Sequence, residues 1–167
     1  MAKVIKSGMG SHQSSNMGKD EWLTPPDLIK KLGNFDLDPC SPINRPWPTA
    51  KNHFTLIDDG LSKEWYGRVW CNPPYGKEAA IWLDKLAKHN NGIALIFART
   101  ETKMFFDQVW EKADAVLFLK GRLFFHHVSG EVAKANAGAP SVLIAYGKEN
   151  SKILEQSTIE GKFINLR

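Results

Sequence analysis

The sequence predicts an α/β fold in which one compact sheet is covered by helices, in a single domain over residues 20–167. Residues 77–89 place apolar side chains at the helical spacing i, i+3, i+4, i+7. They lie between two strand-like apolar segments, 68–71 and 92–98. Strand and helix alternate through this part of the chain, which is typical of a mainly parallel sheet with helices on both faces.

Length and composition limit the possible classes. The chain has 167 residues, 43% of them hydrophobic, which suits one ordinary soluble domain. Residues 1–19 are rich in Gly, Ser and Met without periodicity, so a flexible arm is predicted there. No apolar run reaches the roughly 20 residues that a membrane span needs, and no secretory signal is present, which favours a cytosolic location.

Two further counts bear on metals and partners. The two cysteines, Cys40 and Cys71, lack the spacing of a zinc site or disulfide framework, so reduced thiols are predicted. The formal net charge of +4 is compatible with a phosphate-bearing partner but does not require one.

The first elements follow from local signals. Thr24 is predicted to cap a helix with Pro25 in its first position and Gly33 at its end. Residues 35–37 form a predicted strand that runs into Asp38. Residues 41–50 contain three prolines and are predicted to be an extended loop.

The later elements are read in the same way. Residues 92–98 form a continuous apolar run that suits a central strand. A helix is predicted over 102–110 with Phe106 among its inward-facing residues, and a strand over 115–119. Residues 122–127 are predicted to be extended, and 141–146 to be the last strand.

Polar segments directly follow several predicted strands. Asp38-Pro39-Cys40, the segment 72–75 and Arg99 each lie just past a strand end. Right-handed crossovers in a parallel sheet bring such loops to one edge, where ligands bind in folds of this type. The sequence therefore predicts a site at that edge.

The segment Asn72-Pro73-Pro74-Tyr75 suits methylation of an amino or amide nitrogen. An exocyclic amino group is a poor nucleophile, and acceptors on its N–H groups, here the Asn72 side chain and the Pro73 carbonyl, return its lone pair to the nitrogen. The prolines stiffen the loop, and the Tyr75 ring can stack on a planar base. Asn-Pro-Pro is also an ordinary turn, but its position between a strand and an amphipathic helix favours the functional interpretation.

Other residues have two interpretations each. Asp38 could accept hydrogen bonds from the methionine ammonium of S-adenosylmethionine or cap a turn, and Asp59 could hold ribose hydroxyls or lie in a solvated turn. A basic set either faces DNA or forms a solvated face: Arg99, Lys120, Arg122, His126 and His127. The adjacent histidines lack further ligands at useful spacing, so no metal is predicted.

These motifs resemble, in order, the phage-type DNA N-6-adenine-methyltransferase (Dam) family. The residues that carry the resemblance are Asp20-Glu21-Trp22-x-Thr24-Pro25-Pro26, Phe35 to Cys40, Asp58-Asp59-Gly60-Leu61 with Trp65, Asn72 to Gly76, Ala98-Arg99-Thr100, Gly121-Arg122 and Pro140-Ser141. They span roughly residues 20 to 147.

The resemblance implies a compact Rossmann-like methyltransferase sheet, S-adenosylmethionine as cofactor and adenine in double-stranded DNA as substrate. It also implies a phage or prophage origin, protection of DNA from restriction, and action in the cytoplasm of a bacterial host. Residues 72–75 would hold the base. The cofactor pocket would be lined by Trp22, Thr24, Pro25, Asp38, Pro39 and Cys40.

One departure from broader methyltransferases concerns the 31 residues between Cys40 and Asn72, too few for two complete strand–helix units. The sheet is therefore expected to be shortened there, and the ribose-binding acid stays open.

Three alternatives to DNA adenine remain from sequence: RNA guanine, a protein glutamine, or a non-catalytic nucleic-acid-binding module. So small a chain has little room for a recognition domain, so short or relaxed specificity is expected, with a monomer or a homodimer. A base in duplex DNA must leave the stack before it reacts, and Arg122 or Phe124 is the candidate to fill the gap.

Overall fold

A seven-stranded mixed sheet forms the centre of residues 22–167, the part of the chain that the computed structural model describes. The strands are β1 (Trp22–Leu23), β2 (Leu37–Asp38), β3 (Asn52–His53), β4 (Val69–Cys71), β5 (Gly92–Phe97), β6 (Ala115–Leu119), β7 (His126–His127), β8 (Ser141–Tyr146) and β9 (Gly161–Asn165). The α-helices are α1 (Pro26–Leu32), α2 (Ala79–His89), α3 (Lys103–Phe105) and α4 (Lys148–Gln156). The predicted flexible arm, 1–19, lies outside the described residues.

The order of strands in the sheet is β3-β2-β4-β5-β8-β6-β9, and β1 pairs with β7 in a separate antiparallel ribbon. The prediction of a mainly parallel sheet is correct from β3 to β5 and wrong for the other half. There β8 runs antiparallel to both its neighbours, and β9 runs antiparallel to β6. Strand β8 begins at the same edge of the sheet at which β6 ends, and no helix crosses the sheet between them. The two strands are therefore antiparallel.

Helices cover both faces of the sheet, as predicted. On one face α1 and α4 pack on Trp70, Leu95 and Leu143. On the other face α2 and α3 pack on Val69, Ile96 and other buried strand residues. Alternate residues of β5 therefore enter opposite cores, because side chains alternate across a strand. Within residues 22–167 no helix has the length and apolar character to cross a membrane.

Helix α1 differs from its prediction at the first turn. Pro25, not Thr24, occupies the N-cap position, and no side chain within residues 22–167 caps the helix. The prediction of Thr24 as the cap is therefore wrong. The local pattern could not show that the Thr24 hydroxyl has a partner 48 positions later in the chain.

The connection from β2 to β4 lacks two complete strand–helix units, as expected from the 31 residues between Cys40 and Asn72. It contains the two-residue strand β3, a 3-10 turn at Gly60–Ser62 and no α-helix. Gly60 packs so closely on the preceding loop that a Cβ there would lie 2.0 Å from the Pro39 carbonyl oxygen. The turn is thereby fixed beside the segment that follows β2.

Two features of the C-terminal half were not predicted. Helix α3 continues as a π-helix at Phe106–Trp110, where Glu111 N–H donates to the Phe106 carbonyl, and the Phe106 ring is 52% exposed instead of buried. Strand β8 is not the last, because α4 and β9 follow it. Helix α4 is anchored by the buried Asn150, which donates to Asn91 Oδ1 over 2.8 Å and accepts from Arg68 Nε over 2.7 Å.

Candidate active site

The predicted site loop begins directly after β4, at the edge where β2, β3, β4, β5 and β6 all end. Asn72 has a contact on each side. Its side-chain Nδ2 donates to Thr24 Oγ1 over 3.3 Å, and its backbone carbonyl accepts from Cys40 Sγ over 3.3 Å. The structure therefore brings the segments that follow β1, β2 and β4 together around one asparagine.

The side-chain oxygen of Asn72 has a different environment from its nitrogen. Asn72 Oδ1 is buried and has no hydrogen-bond partner among the described residues. Buried polar atoms are nearly always hydrogen-bonded, so this acceptor is available to a partner other than the described residues, such as a water molecule or a substrate. Because Thr24 is bonded to the amide nitrogen, the amide is oriented with this oxygen free.

Tyr75 contacts a residue that the sequence did not single out. Its ring stacks on Phe97 at the end of β5, with centroids 4.3 Å apart and planes only 3° from parallel. The Tyr75 hydroxyl is buried without a partner in the described residues, and burial raises its pKa. Phe97 was predicted only as part of a central strand, and nothing local to either residue indicates the pairing.

Asp38 is a buried carboxyl group at the end of β2. Burial raises its pKa to about 6, while hydrogen bonds from Thr49 and from the Cys40 amide, and the charge of Arg45, act in the opposite direction. Cys40 N donates to Oδ1 over 3.2 Å, and the Thr49 hydroxyl donates to Oδ2. Asp38 thus does cap a turn, and no cation contacts its carboxylate within the described chain.

The remaining predicted cofactor residues lie around the same point. Pro39 and Cys40 separate Asp38 from the extended loop, and Pro25 follows Thr24 at the start of α1. The Trp22 ring packs on His127 of β7 with centroids 4.7 Å apart, and its Nε1 is buried without a partner in residues 22–167. Asp59 is exposed in the left-handed conformation (φ 52°) directly before Gly60.

The predicted basic set is dispersed along the edge. Arg99 follows β5 and is half-buried, whereas Lys120 follows β6 and pairs with Glu160 at 3.9 Å. Arg122 is exposed, and its guanidinium donates to the Gly138 carbonyl over 3.5 Å. His126 Nδ1 lies 3.0 Å from the Gly130 carbonyl, so this ring lies within a hairpin.

The two cysteines lie close together beside the site loop. Cys40 and Cys71 are free, with sulfur atoms 3.9 Å apart. Burial and the neighbouring thiol raise the pKa of Cys40. No group of three or more His, Cys, Asp or Glu side chains in residues 22–167 is arranged to hold a metal ion.

The fold and the site together define an α/β protein that carries an oriented amide acceptor, Asn72, and an aromatic ring, Tyr75. Both residues lie at the edge of the sheet where β2 to β6 end. Comparison with family models gives a match over residues 10–160 to the DNA N-6-adenine-methyltransferase (Dam) family. The chain belongs to this family, and the resemblance drawn from its motifs is confirmed. A search of curated proteins and of solved structures found no significant match.

Family membership supports assignment as a methyltransferase that acts on adenine in DNA. The match includes every residue predicted for the site, from Trp22 to His126, and extends beyond the span of the motifs at both ends.

Proposed function

We propose that this protein transfers a methyl group from S-adenosylmethionine to the exocyclic amino group of adenine in double-stranded DNA. The observation that carries the proposal is the buried Asn72 Oδ1, which has no partner in the described part of a chain of the Dam family and belongs to an amide oriented by Thr24. The same sheet, with helices on both faces and its ligand edge after β4, supports a compact Rossmann-like methyltransferase fold.

Asn72 and Pro73 would act on the nucleophile. The Asn72 side-chain oxygen accepts one amino proton and the Pro73 carbonyl the other, which concentrates the lone pair on the nitrogen. As the nitrogen forms its bond to carbon it gains positive charge, and both acceptors stabilise that charge. Removal of one preorganised hydrogen-bonding group at a developing charge typically costs about 10²–10³ in kcat.

Pro74 and Tyr75 would position the base. Pro74 lacks a backbone N–H and limits the conformations of the loop, so the Pro73 carbonyl keeps its direction. One face of the Tyr75 ring is packed on Phe97, and the other face would stack on the base. Stacking of a base on an aromatic ring is worth about 1–3 kcal/mol.

The residues around Asn72 fit a cationic methyl donor. Asp38 is a buried carboxyl group without a cationic contact in the described chain, so an ammonium group nearby would lower its raised pKa. Trp22 Nε1 is a donor without a partner among residues 22–167. Trp22, Pro25, Asp38, Pro39, Cys40 and Asp59 would hold S-adenosylmethionine, which supplies an electrophilic methyl group, and Thr24 would act through the Asn72 amide that it contacts.

The biological setting forms part of the proposal. A phage or prophage enzyme of this kind would act in the cytoplasm of a bacterial host, as a monomer or homodimer, and would protect DNA from restriction. Arg99, Lys120, Arg122 and His126 remain candidates for DNA contact, and the exposed Phe124 remains a candidate to fill the gap left by the adenine.

The test is a methyl-transfer assay with labelled S-adenosylmethionine and unmethylated duplex DNA, followed by digestion and identification of N-6-methyladenine. We expect Asn72→Ala to lower kcat by at least about 10²-fold while the affinity for S-adenosylmethionine, measured by calorimetry, stays near the wild-type value. Label in RNA or protein instead of DNA would refute the proposal, and cofactor binding without any transfer would indicate a non-catalytic module.

A further inference from the structure

Two segments of the chain that flank the site carry an unusual share of its positive charge. Residues 41–53 and 120–140, together the basic face, contain five Lys or Arg residues and a single acidic residue, Glu131. Their net charge of +4 equals that of the whole chain. The rest of the sequence is therefore neutral on balance.

The two segments pack against each other. The Trp47 ring meets the His126 ring edge-on with centroids 5.0 Å apart. A Cβ on Gly130 would lie 3.4–3.5 Å from Pro46 and Trp47, so the hairpin formed by residues 126–132 rests on the proline-rich loop. These contacts place Arg45, which directly precedes Pro46, beside the hairpin, whereas Lys51 pairs with Asp36 at 3.3 Å and Lys120 with Glu160 at 3.9 Å.

A pocket of about 410 Å³ opens where the loop and the hairpin meet. Its lining combines a cation with apolar side chains: Ile43, Asn44, Arg45, Pro46 and Val128. Ile43 is 46% exposed and Val128 is 38% exposed. None of the ion pairs within residues 22–167 includes Arg45, whose guanidinium donates to the Pro42 carbonyl over 3.1 Å.

The basic face is continuous with the candidate active site at two points. The proline-rich loop follows Cys40, whose sulfur donates to the Asn72 carbonyl. The hairpin strand β7 pairs with β1, and the next residue, Thr24, accepts the hydrogen bond from the Asn72 side chain. A polymer whose adenine lay at Asn72 would therefore pass over this surface.

We infer that the basic face binds the DNA strand next to the target adenine, with Arg45 against a phosphate and Ile43 and Val128 against the adjoining sugar or base. The inference deepens the proposed function and rests on it for the identity of the strand. A cation between apolar side chains matches a nucleotide unit, which presents a charged phosphate beside less polar sugar and base surfaces.

The test is duplex DNA binding by fluorescence anisotropy over a series of salt concentrations, for the full-length wild type and its variants. Loss of one phosphate contact reduces the slope of log K against log salt by about 0.9. We expect Arg45→Ala to weaken binding and reduce the slope by that amount, and Arg45→Lys to keep the slope. Arg45→Lys keeps the charge that acts on Asp38 and should leave the affinity for S-adenosylmethionine unchanged by calorimetry.

A second pair of variants does not depend on Arg45. Val128→Glu places a carboxylate in the pocket and should weaken DNA binding at low salt. Ile164→Glu is its matched control, because Ile164 is 37% exposed and lies on β9 opposite Val116, near the start of β6. We expect Ile164→Glu to bind DNA far more tightly than Val128→Glu does. Circular dichroism verifies that both variants fold.

Several outcomes would overturn the inference. An unchanged slope for Arg45→Ala would do so, as would equal DNA affinities for the two glutamate variants. Loss of S-adenosylmethionine binding in Arg45→Ala with an unchanged slope would assign the pocket to the cofactor, and an Arg45-dependent slope with RNA alone would reject DNA. If the wild type binds DNA with an Arg45-dependent slope but transfers no methyl group, the proposed function fails and the DNA-binding assignment of the face is supported.

Discussion

Thr24→Val tests whether the Thr24 hydroxyl orients the Asn72 amide. The substitution keeps the size of a buried, β-branched side chain but removes the acceptor that lies 3.3 Å from Asn72 Nδ2. The amide is then free to rotate and present its NH₂ group, a donor, where the substrate amino group needs an acceptor. Thr24 would thus be a positioning residue for Asn72.

The expected size of the effect follows from that one bond. A neutral hydrogen bond contributes about 0.5–1.5 kcal/mol, which corresponds to a decrease in kcat of roughly 2- to 13-fold. This is much smaller than the loss expected for Asn72→Ala, because the oxygen itself remains. Thr24→Ser retains the hydroxyl and is the control, with kcat near the wild-type value.

Steady-state methyl transfer with varied S-adenosylmethionine provides the measurement. We expect Thr24→Val to lower kcat while KM for S-adenosylmethionine changes little, because on the proposed function the Asn72 amide would contact the base. A wild-type kcat in Thr24→Val would refute the reasoning. A raised KM with unchanged kcat would instead support the role that the sequence predicted, direct contact with the cofactor.

Three further predictions concern stability and the aromatic ring. The pKa of the Asp38 carboxyl group is about 6 in the folded protein, above its ordinary value of 3.8. The contribution of this group to the free energy of unfolding is therefore fully present below pH 3.8 and is lost as the pH rises through 6. Asp38→Asn should therefore gain stability relative to the wild type as pH rises over that range, by up to about 3 kcal/mol in urea unfolding, and a pH-independent difference would contradict the assignment. Gly60→Ala should lower Tm strongly, because its Cβ would meet the Pro39 carbonyl oxygen at 2.0 Å. Gly76→Ala should cost only about 1–3 kcal/mol for its strained φ of 108°, since its Cβ meets no atom of the described residues within 4 Å. Equal losses of Tm would be inconsistent with the close packing at Gly60. Tyr75→Phe removes a buried hydroxyl without a partner in the described residues and should keep both stability and methylation rate. Tyr75→Ala should raise KM for DNA about 5- to 150-fold through loss of stacking, and a large loss of rate in Tyr75→Phe would show that the hydroxyl takes part.

Elements with strong local periodicity were predictable from sequence. Helix α2 and strand β5 lie close to their predicted positions, because an amphipathic pattern and a continuous apolar run depend on neighbouring residues alone. The position of the loop after β4 was predictable for the same reason, because the local sequence pattern indicates both the strand before it and the amphipathic helix after it. The shortened connection from β2 to β4 followed from a count of residues.

Features that depend on distant contacts were not predictable. The partner of Thr24 is 48 positions away, and no local pattern distinguishes a capping threonine from one bonded to Asn72. The stacking of Tyr75 on Phe97 and the antiparallel direction of β8 are likewise tertiary. Helix α4 was missed because its anchor is Asn150, a polar residue buried through hydrogen bonds instead of an apolar stripe.

The β1–β7 ribbon has a consequence for the timing of the reaction. It pairs only two residues of each strand and lies outside the main sheet, so it should be among the first parts of the molecule to open locally. One of its strands leads to the residue that orients the Asn72 amide, and the other forms part of the surface assigned to DNA. Occupation of that surface would therefore steady the ribbon, and slower amide exchange at Leu23 in the presence of DNA would report it. DNA bound on that surface would then hold Thr24, and through it the Asn72 amide, more firmly in the orientation that the structure already shows.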